Sequence, residues 1–533
     1  MRFILLFILA LSAVNQAAYG AAKSGGAKDK AKAQEGLRIM KDYLKGKPVT
    51  ADLILGLALQ HSDDIKSIGT AMIVKDVAQD ASMAPLDYVL SSQISGTSNE
   101  LAGTSSQSPS KIDANVATVG LQKQFSTGTA ASLALTYTGS ETKGKTFSFT
   151  PPATFGLADY ELTAAETKLE LGVRQSLWKN SLGRSLRADL DAADWQKKAI
   201  VSSTESQVED LLLVYVDTFY AAWRAQQAIF SRQEILRVQN RLKGIIEKQN
   251  ALGAAEKSDV MQIQVAVEQA RLDLKDAKAS FLQIWRALVV GLKLPKVLME
   301  VPPEKIPIAK DQYINDAVDF CRSASLGGID KLKPSNIKAA EASLNASQKS
   351  LISAESSLNP DVFLGLSITA NNVDGESVSG GTATGLNAEG EEGGASSTVF
   401  VGIDMPLGNY GARAGYKQAY QTKAANQFKL QKAKDQNRID FSNHCDTLSR
   451  LMKKKKLTEG FVQTHKRRVK LDEKRFKLGR LLPSLVITTS IDVATSQVSL
   501  ALIEAELHTV AWKLKKLDGS MSKYIRKLAS QKK

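Results

Sequence analysis

The chain has 533 residues, of which 43% are hydrophobic and 6% aromatic, and a formal net charge of +15. That is ample material for a core, which excludes a disordered chain, and two cysteines in such a length exclude a disulfide scaffold. So basic a balance is a common mark of nucleic-acid binding, but the amino terminus points elsewhere.

Met1-Arg2, the apolar run Phe3 to Leu11, and Ala18-Tyr19-Gly20 before Ala21 have the charged start, short greasy core and small-residue cleavage site of a secretory signal peptide over residues 1–20. Export argues against nucleic acid as a partner. The absence of a cysteine just after this region argues against a lipid-anchored mature end. Residues 21–47, rich in Lys, Gly and Ala, read as a flexible leader. No other stretch approaches the ~20 apolar residues of a membrane helix, so any membrane crossing falls to strands. Asp63-Asp64 reads as an acidic pair at the start of the first helix.

Pro85 opens a weak strand, Leu86 to Ser95. Val119, Leu121 and Phe125, the turn residues Ser126-Thr127-Gly128-Thr129, and then Leu133, Leu135 and Tyr137 predict a β-hairpin inserted within residues 112–140. Whether it joins a barrel is left open by the pattern. Thr167, Leu169, Leu171 and Val173 alternate with Lys168, Glu170, Gly172 and Arg174, one face apolar and the other largely polar. Such alternation suits a transmembrane barrel strand or a soluble sheet with one wet face. Trp178, just beyond the strand and followed by Lys179-Asn180, is placed as a membrane-interface anchor.

Between Gly183 and Asn250 there is no proline and Gly244 is the only glycine, so a helix there extends about 100 Å at a rise of about 1.5 Å per residue. Val208, Leu211, Leu212, Tyr215, Phe219, Ala222 and Trp223 form its apolar stripe, as packing residues rather than a ligand cage. Leu252-Gly253 breaks the helix. Beyond it Val260, Ile263, Val267, Ala270, Leu274, Ala277, Phe281, Ile284 and Leu288 recur at alternating steps of three and four, the seam of a coiled coil. A linker follows over 295–312, with Pro302-Pro303 extended.

The same events then recur. Pro360 opens Val362 to Ala370, a Gly/Ser/Asn/Thr/Glu-rich stretch from Asn371 to Ser397 reads as a solvent loop, and Val399, Val401, Ile403 and Met405 alternate with Phe400, Gly402 and Asp404. A second rod carries Lys453 to Lys456, Lys466, Arg467, Arg468 and Lys470, by default a solvated helix face. Leu478-Gly479 breaks it, and a second seam runs Val486, Thr489, Val493, Ser496, Leu500, Ile503, Leu507, Val510, Leu514, Leu517. Gly172 and Gly253 lie 81 residues apart, and Gly402 and Gly479 lie 77 apart. The chain is therefore a duplication, with a first repeat over 48–294, a second over 313–519, and a basic C-terminal tail over 520–533. Cys321 and Cys445 leave pairing open.

These motifs carry a resemblance. Leu171-Gly172-Val173-Arg174-Gln175-Ser176-Leu177-Trp178 running into Gly183 and Arg184, and Val401-Gly402-Ile403-Asp404-Met405-Pro406-Leu407-Gly408 running into Gly411 and Arg413, resemble the strand-to-helix junctions of the TolC-type outer-membrane efflux and secretion channels. Leu252-Gly253 with Ser258-Asp259, and Phe476-Lys477-Leu478-Gly479-Arg480, resemble that family's two periplasmic hairpin tips. The resemblance spans Thr50 to Gly519. It implies an α+β, mainly helical protomer of a homotrimer whose shared outer-membrane β-barrel continues into an α-helical coiled-coil tunnel through the periplasm. It also implies that Leu252, Gly253, Leu478, Gly479 and Arg480 dock on a periplasmic adaptor of an inner-membrane pump or ABC exporter. Family members commonly place inward-facing acids six and nine positions past the second tip glycine; here these are Leu485 and Thr488, while the first copy keeps Asp259 at its sixth position. Asp259, Leu485 and Thr488 are therefore the candidate gate, with Leu485 either forming an apolar constriction or packing between helices.

No catalytic residue, cofactor or metal site is expected. His61, His444, His465 and His508 are scattered, and no phosphate loop or nucleophile elbow occurs. The expected function is an exit duct lodged in lipid. The alternatives are a secreted coiled-coil structural or adhesion protein, and a peptidoglycan anchor using the basic helix.

Overall fold

The computed structural model describes residues 48–101, 108–150, 154–253, 255–308, 312–324, 328–329, 332–378, 392–478 and 480–530, together with Arg38. The signal-peptide and leader assignments, the centre of the 371–397 stretch, and Gly479 lie outside the described residues. In chain order the elements are α1 (Ala51–His61), α2 (Asp63–Gly69), α3 (Val77–Met83), β1 (Tyr88–Glu100), β2 (Pro109–Gln124), β3 (Thr129–Thr150), β4 (Thr154–Ser176), α4 (Arg184–Ala251) and α5 (Lys257–Gly291). They continue with α6 (Gln312–Ala324), α7 (Ser335–Ser356), β5 (Asp361–Val378), β6 (Glu392–Asp404), α8 (Tyr410–Lys477), α9 (Pro483–Leu517) and α10 (Ser520–Ser530). The duplication is visible in the lengths: α4 and α8 each run 68 residues, and α5 and α9 each run 35.

The chain divides into two compact units, and each takes residues from both repeats. One, drawn from Ile73–Val201 and Ala339–Gln431, holds the sheet; the other, whose described residues lie within 48–72, 202–338 and 432–530 together with Arg38, is helical.

The sheet is a six-stranded antiparallel meander in the order β1-β2-β3-β4-β5-β6. Sequence periodicity marks four strands; the inserted hairpin supplies the other two, pairing with β1 through Ser92↔Val119 and with β4 through Leu135↔Leu169. The hairpin is seated by its turn. Gly128 and Gly183 both have positive φ, and a Cβ on Gly183 would lie 1.8 Å from the Ser126 carbonyl oxygen. Only glycine allows so close a crossing. Gln175 Nε2 donates to the Thr127 carbonyl at 3.2 Å and the Ser176 amide to that of Gly128 at 3.2 Å.

The strands also outrun their predicted ends. The first spans Tyr88–Glu100 rather than Leu86–Ser95, and residues 371–378 and 392–397, expected as loop, are strand. Asn372 pairs with Thr167 and Gly393, so the ladder holds polar residues extended where composition alone suggests solvent-facing turns.

In the helical unit, the seam residues Ile263, Val267, Ala270, Phe281 and Leu288 of α5 are buried, as are Val486, Thr489, Ile503, Leu507, Val510 and Leu514 of α9. The stripe of α4 packs as expected, with Leu212, Tyr215, Phe219, Ala222 and Trp223 in one core with Ile54, Leu55, Trp285, Leu292 and Trp512. Helix α9 is long and apolar enough, by length and composition, to cross a membrane, contrary to the expectation that no such stretch follows the leader. It spends this on packing against α5, α6 and α10. Cys321 of α6 and Cys445 of α8 form a disulfide, the pairing that the sequence left open.

Three smaller expectations are corrected. Asp63-Asp64 opens α2 rather than the first described helix, and the linker contains a short 3-10 turn, Lys296–Met299. Residues 520–530 of the tail form α10, because Met521 enters the main core and Ser522 reaches a buried carboxylate. That carboxylate is Glu209. Its Oε1 accepts hydrogen bonds from Ser335 Oγ at 3.0 Å and Ser522 Oγ at 2.6 Å, and burial raises its pKa above the ordinary value.

Candidate functional site

The two predicted tips lie together. At the first, α4 ends at Ala251, Gly253 takes φ 75°, and the Gly253 amide donates to the Asn250 carbonyl at 2.9 Å, a glycine-terminated helix end. Asn250 Nδ2 donates to the Ala255 carbonyl at 2.8 Å, holding the turn. At the second, α8 ends at Lys477, the Arg480 amide donates to the Arg475 carbonyl at 2.9 Å, and Pro483 begins α9, where its missing N–H costs nothing. Leu242, Ile246, Ile263, Phe476 and Val486 form one buried cluster joining the four helix ends. Outside that cluster Leu252 is 83% exposed and Leu478 70%. The predicted pair is thus held on a packed base with its leucines free. Leu482, absent from the expectation, is as exposed as Leu478; it immediately precedes Pro483, and that helix-start signal could have found it.

The candidate gate residues separate into two roles. Asp259 completes a capping box at the start of α5, its carboxylate accepting from the Glu256 amide at 3.3 Å, which gives it a local structural role. Leu485 is 39% exposed beside fully buried Val486 and so is not spent on the core of its own chain. Thr488 is exposed and donates to the Ser484 carbonyl at 3.0 Å. Of the basic helix, Lys455 pairs with Glu504 at 3.2 Å and Arg468 with Asp472 at 3.6 Å, while Lys453, Lys454, Lys456, Lys466, Arg467 and Lys470 are exposed, the arrangement of a solvated face.

The sheet has two chemically different faces. Leu90, Ile94, Val119, Leu121, Leu133, Leu135, Tyr137, Leu169, Leu171, Leu366, Ile368, Val399, Val401 and Ile403 all share one face and all are exposed. Soluble monomers rarely expose contiguous apolar patches above a few hundred Å². The opposite face carries Gln93, Thr118, Thr136, Lys168, Glu170, Ser367 and Thr369. Arg174 lies on that face, over the Phe363 ring and 2.8 Å from Asp361. Trp178 follows the end of β4 and is 55% exposed. After β6, Leu407 and Tyr410 are more exposed still, at 99% and 80%, a second apolar pair at the matching junction that period-two reading of the strand does not reach.

No known protein-family profile matches the sequence, and no curated protein matches it. Solved structures do. VceC, an outer membrane protein of Vibrio cholerae, aligns with a TM-score of 0.59 and 14% identity over 88% of this chain and 96% of its own. The outer membrane channel CmeC of Campylobacter jejuni aligns with a TM-score of 0.59 and 13% identity over 92% of this chain and 90% of its own. The open-state MtrE outer membrane channel of Neisseria gonorrhoeae aligns with a TM-score of 0.54 and 14% identity over 88% and 89%. This chain has the TolC-type channel fold. Within that fold, the duplicated 68- and 35-residue helices and the antiparallel sheet are accounted for together.

Proposed function

We propose that the chain is the protomer of an outer-membrane channel, serving as the exit duct of a tripartite efflux pump or a type I secretion system, without catalysis of its own. The observation that carries this reading is the sheet, with one face apolar and exposed, the other polar, and both edge strands unpaired among the described residues. Lipid covers the first face and water the second, and open edges are not tolerated in hydrocarbon. Six strands are also too few to enclose a lumen, about eight being the practical minimum. Association of identical copies in a closed ring answers both needs, and the resemblance supports three copies. Its barrel continues into a periplasmic tunnel of long helices, with 48–294 and 313–519 as the repeats joined by linker 295–312. Trp178 anchors at the lipid interface. A secreted adhesin or a peptidoglycan anchor would leave the apolar face in water.

The tips would dock a periplasmic adaptor that couples the duct to an inner-membrane pump or ABC exporter, since Leu252 and Leu478 offer small apolar knobs beside helix ends. Leu485 would ring the constriction. The test replaces exposed side chains only. Leu252→Asp combined with Leu478→Asp should abolish export while heat-modifiable trimers persist in outer-membrane fractions. Leu485→Asp should raise conductance in planar bilayers and shift selectivity toward cations. Normal export by the double variant removes the docking role, and unchanged conductance removes the ring. Loss of the wild-type protein from outer-membrane trimers would overturn the duct itself.

A further inference from the structure

The inserted hairpin β2–β3 changes the size of the ring. We infer that three copies close an eighteen-stranded barrel, six strands from each, with β1 of one copy pairing with β6 of the next. The inference rests on the channel reading above and departs from the twelve strands that four per copy would give.

Three observations carry it. First, the hairpin is built as barrel wall. Val119, Leu121, Leu133, Leu135 and Tyr137 continue the apolar face across β2 and β3, and Thr118, Gln122, Ser132 and Thr136 continue the polar one. Its turn is locked under the β4–α4 junction by the Gly128 and Gly183 crossing. A flap outside the membrane needs neither the alternation nor the lock.

Second, the two free edges suit each other. Both edge strands are 13 residues long, and in a six-stranded meander the first and last run in opposite directions, so their pairing is antiparallel. Neither edge carries the lysine or proline with which proteins blunt exposed strands, and the β1–β2 register is unbroken by a bulge. Counted from the helix end, each edge places its outward apolar residues first: Tyr88, Leu90 and Ile94 on β1, and Ile403, Val401 and Val399 on β6.

Third, the band is tilted as closure requires. It centres near Ser91 on β1 and Val401 on β6, yet the residue level with Ser91, traced through Gly120, Ala134, Glu170 and Thr369, is Ser396. The band therefore slides five residues toward the helix end across the sheet. With a rise of about 3.3 Å per residue and about 4.8 Å between strands, the strands lean roughly 35° from the normal to that band, the tilt of closed barrels. At that tilt eighteen strands give a radius of roughly 17 Å, against roughly 11 Å for twelve.

The test uses the full chain in lipid nanodiscs. Both native cysteines are disulfide-bonded, so introduced cysteines report alone. Ala134→Cys, on the polar face of β3, should react with a charged, membrane-impermeant thiol reagent; Leu135→Cys, on the apolar face, should not. Direct imaging of the wild-type particle should count eighteen strands. Equal labelling of both variants in a protein that still runs as a trimer, or a count of twelve, overturns the inference and leaves the duct standing. A particle without threefold symmetry overturns both.

Discussion

Apolar side chains in the helical unit and on the sheet follow opposite rules: Leu55, Leu292 and Leu514 are 0% exposed, whereas Leu90 and Ile94 on β1 are 73% and 83% exposed. The residue types are the same. Helices α1, α4, α5 and α9 bury theirs against one another, so folding of the chain itself collects the hydrophobic stabilisation. No α-helix packs extensively on the sheet among the described residues, and under the channel reading proposed above its apolar face gains hydrophobic stabilisation only from lipid. One chain thus carries two cores, and only one of them is its own.

The largest effect that probes this contrast belongs to the helical unit. Phe281→Ala should cost about 3–5 kcal/mol in denaturant unfolding, with or without lipid. On the sheet, Leu171→Arg at the centre of the band should cost about 2–4 kcal/mol in vesicles, while Thr369→Arg on the opposite face should cost little. Equal penalties for the two sheet variants would break the two-phase account. The smallest effect concerns Glu209, whose pKa burial raises from the ordinary 4.5, so the folded chain holds a proton that the unfolded chain has released. The stability it contributes is complete below that value and is lost as pH rises through the folded pKa. Glu209→Gln should therefore raise the melting temperature at pH 8, by about 1 kcal/mol of stability, and the gain should vanish toward pH 4. A gain that grows on acidification would contradict the burial of the charge.

Much of the helical design was legible because helix periodicity is a property of one segment. Ile263, Val267, Ala270, Phe281 and Leu288 were readable as a seam, and Leu252-Gly253 as its breaker. Trp285 and Val289 were not, since they bury on a second flank; Trp285 Nε1 donates to the Leu298 carbonyl at 2.7 Å, in the linker. Strand extent was less legible. Residues 371–378 look like loop because what holds them extended is the ladder to β4, a property of two segments rather than one. The hairpin was seen and its partners were not, for the same reason. At the tips the exposed leucines followed from the helix breakers, whereas the shared base of Ile263, Phe476 and Val486 required both hairpins at once.

The docking of α10 has a consequence for biogenesis. Tyr313 and Tyr524 both donate to Asp52 Oδ1, the second across 472 residues of sequence, and Met521 is fully buried among the earliest described helices. Contacts so distant in sequence make folding slow. The first four strands, by contrast, are successive hairpins that can pair as they arrive. A chain cut short before Ser520 would own a sheet it can begin to zip and a helical core it cannot close.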